Sequence, residues 1–291
     1  ISDGWSGEVL AKDVFAYYNA FKEGLEVIHP TQIGLNDLKI QYRDYSVWQL
    51  EQLESDKYKG HRAYWLDKLK GELPLLRLPS NLSRPRIKTY NGEGLSMLMD
   101  TNLNASLKEF VDENGGSRFM VVLAALNVLF YRYTSETDII IGTPVAGRDH
   151  PQLEDQIGFY INTLALRNEL DPGESFKSFY DRLKSDTFNA YSHQAYPFDR
   201  LVEELEVKRD TSRNVVFDVS LTYHNVYQEK RIVDKGEQEV NKIVFTGSKK
   251  VKSDIEIHVQ ELGGHFSVDV FYNTDVYQRE LITDFLQHFR Q

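Results

Sequence analysis

The chain has 291 residues, enough to bury a substantial core, and its 41% hydrophobic and 12% aromatic content exceeds what a disordered chain carries. With 44 acidic against 34 basic residues the net charge is -10, so the surface repels nucleic acid and anionic lipid, and neither is expected as a partner. The lack of cysteine excludes disulfides, thiolate nucleophiles and zinc–sulfur sites and fits a cytoplasmic setting, and no apolar run reaches the roughly 20 residues of a membrane helix.

In chain order, Leu10, Val14, Tyr18 and Phe21 recur at helical spacing ahead of Gly24, so Glu8 to Lys22 reads as an amphipathic helix with Asp3 and Gly4 in the loop before it. Beyond a linker, Tyr42 to Leu53 and Lys57 to Leu69 are helical by pattern. From Leu73 to Gly94, Pro74, Pro79, Pro85, Gly92 and Gly94 break every period, which reads as a connection and divides the chain into 1–74 and 75–291. Ser117 to Tyr133 is apolar on nearly every face and reads as a buried helix. There follow a β-branched strand at Asp138 to Ile141, a strand at Leu164 to Leu170, a helix at Ser175 to Ala190, a short helix after Pro197 and a strand at Val215 to Tyr223. Ile255, Ile257 and Val259 alternate with Glu256 and His258, and Gly263 with Gly264 joins this run to Phe266 to Tyr272 as a hairpin before a last helix at Gln278 to Phe289. Strands and helices mix without a repeated βα unit or a glycine-rich fingerprint, which predicts an α/β sandwich rather than a doubly wound nucleotide fold.

General acid–base chemistry falls to the carboxylates and eight histidines. His29, His61, His258 and His288 read as surface or capping residues. No two histidines stand at metal-ligand spacing, and there is no HExxH pair, GxSxG elbow or phosphate-binding glycine loop. His193 lies in Ser192-His193-Gln194-Ala195-Tyr196-Pro197-Phe198-Asp199, where one helix ends and the next begins; a helix C-terminus favours histidine and a first turn favours proline, so a structural role accounts for both. Arg209, Asp210 and Arg213 form a compact charged turn ahead of a strand.

The order of five segments says more. Asp3-Gly4-Trp5-Ser6 is similar to the end of an HHxxxDG motif, Tyr42-Arg43-Asp44-Tyr45-Ser46-Val47-Trp48 to YxDYAVW, and Ile157-Gly158-Phe159-Tyr160-Ile161-Asn162-Thr163-Leu164-Ala165-Leu166-Arg167 to IGxFVNTLxLR. His193-Gln194-Ala195-Tyr196-Pro197-Phe198-Asp199 resembles HQDYPFE, departing at Ala195, and Arg209-Asp210-Thr211-Ser212-Arg213-Asn214 resembles RDxSRNP, departing at Val215. Together, and in this order, they resemble the signature motifs of condensation domains of nonribosomal peptide synthetases.

The resemblance implies the chloramphenicol-acetyltransferase-like fold, a two-lobe α/β sandwich, with 1–74 as the end of the first lobe and 75–291 as the whole second lobe. It implies amide formation between a donor acyl or peptidyl thioester and an acceptor aminoacyl thioester, both carried on 4′-phosphopantetheine of peptidyl carrier domains, with no bound cofactor or metal. An adenylation domain and the N-terminal lobe are the other implied partners. Asp3 and Gly4 are what the chain holds of the catalytic motif. Both motif histidines would precede Ile1, so the chain alone is expected to be inactive. Asp3's usual arginine partner is expected upstream as well, leaving Asp3 disordered, exposed or paired with another chain.

The stretch Asp138 to Asp149, with Gly142-Thr143-Pro144-Val145-Ala146-Gly147-Arg148, is similar to the loop that floors the family's tunnel, and the segment after Val219 to its latch. Asn162, Thr163, Thr143 and Gln194 are the candidates for contact with substrate or its arm. Tyr42, Asp44 and Trp48 are expected in core packing and a cap, His193 in a structural turn, and Arg167, Arg209 and Arg213 in scaffold ion pairs. An epimerization domain of the same fold and a non-catalytic carrier-protein-binding domain are the competing readings. Asp3-Gly4-Trp5-Ser6 fits the condensation motif better than the aspartate-based motif of cyclization domains.

Overall fold

The computed structural model describes every residue except 28, 208–209, 225–239 and 263. Two compact units emerge, neither a single run of sequence: residues 1–67, 144–163 and 193–201 make the first, and 68–143, 164–192 and 202–291 the second.

The first unit is built on helices α1 (Gly4–Lys22), α2 (Tyr42–Leu53) and α3 (Asp56–Lys68). α1 begins earlier than the apolar spacing predicts because Asp3 caps it: the carboxylate accepts the Ser6 N–H, and Ser6 Oγ accepts the Asp3 N–H in return. Gly4 is therefore the first helical residue, not a loop residue. The face that α1 buries carries Ser6, Val9 and Ala20, whereas Leu10, Val14, Tyr18 and Phe21 are each more than half exposed. The stripe that signals the helix is thus not the stripe it buries.

α2 is capped by Asp44, whose Oδ2 accepts the Gln41 N–H at 2.8 Å. Tyr42 is half-buried, but Trp48 is 44% exposed. Core packing is therefore not the role of Trp48: its ring tilts against Tyr45 at 5.8 Å on the exposed side of the helix.

The second unit is mixed α/β around a seven-stranded sheet, ordered β3-β2-β4-β6-β7-β1-β5. In chain order the remaining elements are β1 (Asn91–Met99), α4 (Thr101–Asn114), α5 (Arg118–Thr134), β2 (Asp138–Val145), β3 (Asn162–Glu169), α6 (Phe176–Ser192), α7 (Phe198–Glu204), β4 (Val219–His224), β5 (Ile243–Lys250), β6 (Ile255–Leu262), β7 (His265–Asn273) and α8 (Arg279–Arg290), of which the end of β2, the start of β3 and α7 up to Leu201 are counted in the first unit. β4 runs parallel to β6, and β6, β7, β1 and β5 pair antiparallel in turn. Residues alternate across this sheet, so that Leu95, Met97, Val268, Val270, Ile257 and Val259 form one apolar face. Leu123, Ala124, Leu126 and Phe130 of α5 are fully buried, and each large side chain among them contributes about 1.5–3 kcal/mol of burial. Among the described residues no helix is long and apolar enough to cross a membrane.

β1, α4 and β5 are not anticipated from the sequence. β1 falls where prolines and glycines suggest a connection, yet its glycines answer to crowding. A Cβ on Gly92 would lie 2.7 Å from the Lys249 carbonyl oxygen, and one on Gly94 would lie 2.6 Å from the Phe271 ring. The flanking strands, rather than a turn, demand glycine there.

Candidate active site

Three distant stretches of the first unit meet at Asp3. Its Oδ1 accepts from Ser6 N at 2.9 Å, from Ser6 Oγ at 2.7 Å and from an Arg148 terminal nitrogen at 3.1 Å, and its Oδ2 accepts the Tyr160 N–H at 3.1 Å. The two charged side chains are 3% and 2% exposed. The expectation that Asp3 is exposed, disordered or lacks a partner within the chain is thereby overturned: its arginine lies downstream, in the Gly142 to Arg148 stretch. Burial works to raise the Asp3 carboxyl, but the Ser6 hydroxyl and N–H, the Tyr160 N–H and the Arg148 guanidinium together hold it below its usual range.

Arg148 does more than neutralise Asp3. One terminal nitrogen donates to the Leu153 and Gln156 carbonyls, the other to Asp3 and Ser6 Oγ, and the guanidinium lies over the Tyr160 ring at 4.2 Å. Ser6 Oγ in turn accepts the Gly158 N–H at 3.0 Å and lies 2.8 Å from the Gly158 carbonyl oxygen. The Tyr160 hydroxyl donates to Gln156, and Gln156 Nε2 donates to the Ile40 carbonyl. The first turn of α1, the 148–160 loop and the chain entering α2 are thereby fixed to one another.

The turn 193–198 forms a second cluster in this unit. Asn162 Nδ2 donates to the Gln194 and Tyr196 carbonyls at 2.8 and 2.7 Å, and its Oδ1 accepts the Phe198 N–H at 3.0 Å. All three polar functions of Asn162 thus hold a turn. From the other side, Trp65 Nε1 donates to the His193 carbonyl at 2.9 Å, and His61 Nδ1 stands 2.8 Å from His193 Nδ1. His61 is 8% exposed, so its reading as a surface residue is corrected. Its burial is invisible in a helix whose other residues are mostly polar.

Asn162→Ala is expected to lower the denaturation midpoint by the equivalent of about 2–4 kcal/mol, since three paired backbone groups lose their partner. Asn162→Asp should be worse, because it sets a carboxylate oxygen against two carbonyls. Equal urea midpoints for both variants would contradict this geometry.

Thr163 and Gln194 are half-buried in the first unit, and Thr143 is buried within β2 of the second. The arginines Arg167 and Arg213 lie in the second unit. Arg167 forks onto Asp138 and donates to the Lys70 and Glu72 carbonyls, fastening the chain ahead of β1 to β2 and β3. Arg213 meets Asp218 at 2.8 Å, both buried, and reaches Asp210 at 3.4 Å. Burial first, and then the neighbouring Asp254, pushes the Asp218 carboxyl up to about 6. Arg209, and most of the segment expected as a latch, fall on residues outside those described.

A family model described as "Condensation domain" matches residues 1–291. The chain belongs to the condensation-domain family. Curated relatives are nonribosomal peptide synthetases: tyrocidine synthase 3 of Brevibacillus parabrevis is 36% identical over 291 residues, all of this chain but 4% of that protein. Bacitracin synthase 2 of Bacillus licheniformis is 34% identical over 289 residues, 99% of this chain and 10% of that protein. The condensation domain thus spans a small part of the relatives it matches.

Solved structures agree in fold. The X-domain from teicoplanin biosynthesis superposes with a TM-score of 0.82 at 22% identity, covering 99% of this chain and 65% of that one. A holo four-domain nonribosomal peptide synthetase bound to AMP and glycine superposes with a TM-score of 0.79 at 20% identity, covering 99% of this chain and 22% of that one. In the condensation domain, then, Asp3 is anchored by Arg148, a residue that lies in none of the five motif-like segments. The only sequence signal toward it is its place in the Gly142 to Arg148 stretch.

Proposed function

We propose that the intact protein joins a donor acyl or peptidyl thioester to the amine of an acceptor aminoacyl thioester, forming an amide. Both substrates are held on the 4′-phosphopantetheine arms of peptidyl carrier domains, beside an adenylation domain and the rest of the first lobe. Such a reaction needs two tethered groups held in line, a proton removed from the amine and a developing oxyanion steadied. The observation that carries the reading is the buried network of Asp3, Ser6, Arg148, Gly158 and Tyr160, which ties the Asp-Gly step to one further motif segment, 157–167, and to the stretch ending at Arg148.

No two of the eight histidines are adjacent in sequence, so an HHxxxDG pair is not among residues 1–291. The 291-residue chain alone is therefore expected to form no amide product when mixed with donor- and acceptor-loaded carriers. Gly4 offers a sharper test in the full synthetase. Among the described residues, a Cβ there would meet nothing within 4 Å beyond its chain neighbours and its own helix backbone, and alanine suits a helix better than glycine, so Gly4→Ala should keep the denaturation midpoint or raise it slightly. Product formation at least tenfold slower, with folding unchanged, supports a glycine backbone set against the reacting atoms. An unchanged rate, or product from the chain alone above the uncatalysed background, would overturn the corresponding part of the proposal.

A further inference from the structure

His61 and His193 face each other through the same ring atom. Their Nδ1 atoms are 2.8 Å apart with the rings nearly perpendicular, at 77°. A contact this short between two imidazole nitrogens holds one proton, donated by one ring to the lone pair of the other. Two arrangements satisfy this, and the surroundings decide between them. If His193 donated, neutral His61 would carry its own proton on Nε2, and that atom is buried without a hydrogen-bond partner among the described residues. A buried N–H with no acceptor is the costliest orphan, about 1–3 kcal/mol, and is rarely seen. If His61 donates, its Nε2 is a bare lone pair and no N–H is stranded.

We infer that His61 is a positioning residue that sets the tautomer of His193: His61 Nδ1–H donates to His193 Nδ1, and His193 keeps its proton on Nε2. Two consequences follow for the turn 193–198. His193 faces its surroundings through Nε2 as a hydrogen-bond donor, suited to a carbonyl oxygen, and not as a proton-abstracting base. The pair also holds the turn only while His193 is neutral, because its one free basic nitrogen is the Nδ1 that accepts from His61, and a proton taken up there would break the bond.

The groups around the pair oppose protonation. Tyr64 stacks on His193 at 4.2 Å and Tyr58 meets His61 edge-on at 5.5 Å, both uncharged, while Lys57 adds a positive charge near His61. Asp149 acts on Tyr58, whose phenol is raised by burial first and by that carboxylate second. Burial, then His193 and Lys57, pushes His61 below the ordinary 6.5, and burial lowers His193. Since the folded-state values lie below the unfolded one, the stabilisation from this pair is complete above pH 6.5 and is lost as pH falls below it.

The test is a nitrogen–proton correlation spectrum of the histidine side chains in the labelled protein, assigned with single substitutions. At pH 7.5 His61 should show the Nδ1–H tautomer and His193 the Nε2–H tautomer, and neither should titrate until below 6.5. In His61→Leu, the tautomer bias of His193 should disappear and its midpoint should rise. In His61→Asn, which offers an amide N–H near the place of Nδ1, the bias should return. An Nε2–H signal from His61 in the unmodified protein, or identical His193 spectra in the Leu and Asn variants, would overturn the inference. Should the Leu variant not fold, the unmodified spectrum alone decides.

Discussion

Replacing Arg148 with alanine is expected to cost about 3–5 kcal/mol of folding stability, because it leaves the Asp3 carboxylate buried with its charge uncompensated. Lysine should recover little of this. A single ammonium cannot reach the Leu153 and Gln156 carbonyls on one side and Asp3 with Ser6 on the other, as the guanidinium fork does. Removing both charges together, in Asp3→Asn with Arg148→Met, should cost clearly less than the sum of the single changes, since no charge is then stranded. The pH dependence carries the same signature. Asp3 titrates below the ordinary 3.8 in the folded protein, so the stability it contributes is complete above that pH and is lost as pH falls through the folded value. In Arg148→Ala the deficit should be largest at neutral pH and shrink on acidification, as Asp3 takes up a proton. Denaturant midpoints measured across pH for the unmodified protein, the two Arg148 variants, the double variant and its two single changes would test this, and an Arg148→Ala deficit that stayed constant with pH would contradict it.

The neighbouring glycine should be almost as sensitive. Gly147 has a φ of +65°, a left-handed backbone that costs a residue with a side chain about 1–2 kcal/mol. A Cβ at that position would also run into the Tyr160 carbonyl, with the carbonyl carbon only 2.9 Å away. That obstacle is backbone, and it cannot swing aside like a side chain. Tyr160 is tied down by its N–H bond to Asp3 and its hydroxyl bond to Gln156. Gly147→Ala is therefore expected to lose about 3 kcal/mol or more and to drag Arg148 out of register with Asp3. Combining it with Arg148→Ala should add little, because both changes break the same contact. Additive losses in the double variant would show that Gly147 matters for some other reason.

The sequence reveals elements wherever one residue period dominates. α5 is apolar on nearly every face and is read almost to its ends, and the alternation through β6 and β7 marks their pairing. β1 escapes because its two glycines serve contacts with strands that follow more than 150 residues later, a demand that looks locally like a turn. α1 shows a subtler limit. Its periodicity is real, but spacing cannot say which of two apolar stripes is covered, and the covered one contains Ser6. The site divides in the same way. Its motif segments can be recognised one by one, since each is contiguous. The bonds between them, Asp3 to Arg148 and His61 to His193, join residues 145 and 132 positions apart, and no local pattern encodes such pairings.

The Ser6 hydroxyl also bears on how chains of this kind can be recombined. Its contacts run to Gly158 and Arg148, and those of Asp3 to Arg148 and Tyr160, so one polar junction depends on residues from both ends of a long stretch of sequence. A crossover placed anywhere between Ser6 and Arg148 would draw the two sides of that junction from different parents. Such a hybrid keeps the side-chain part of the junction when one parent supplies Asp3 and Ser6 and the other supplies Arg148, the bonds to residues 158 and 160 being made by backbone groups. Crossovers after Tyr160 leave the junction within one parent.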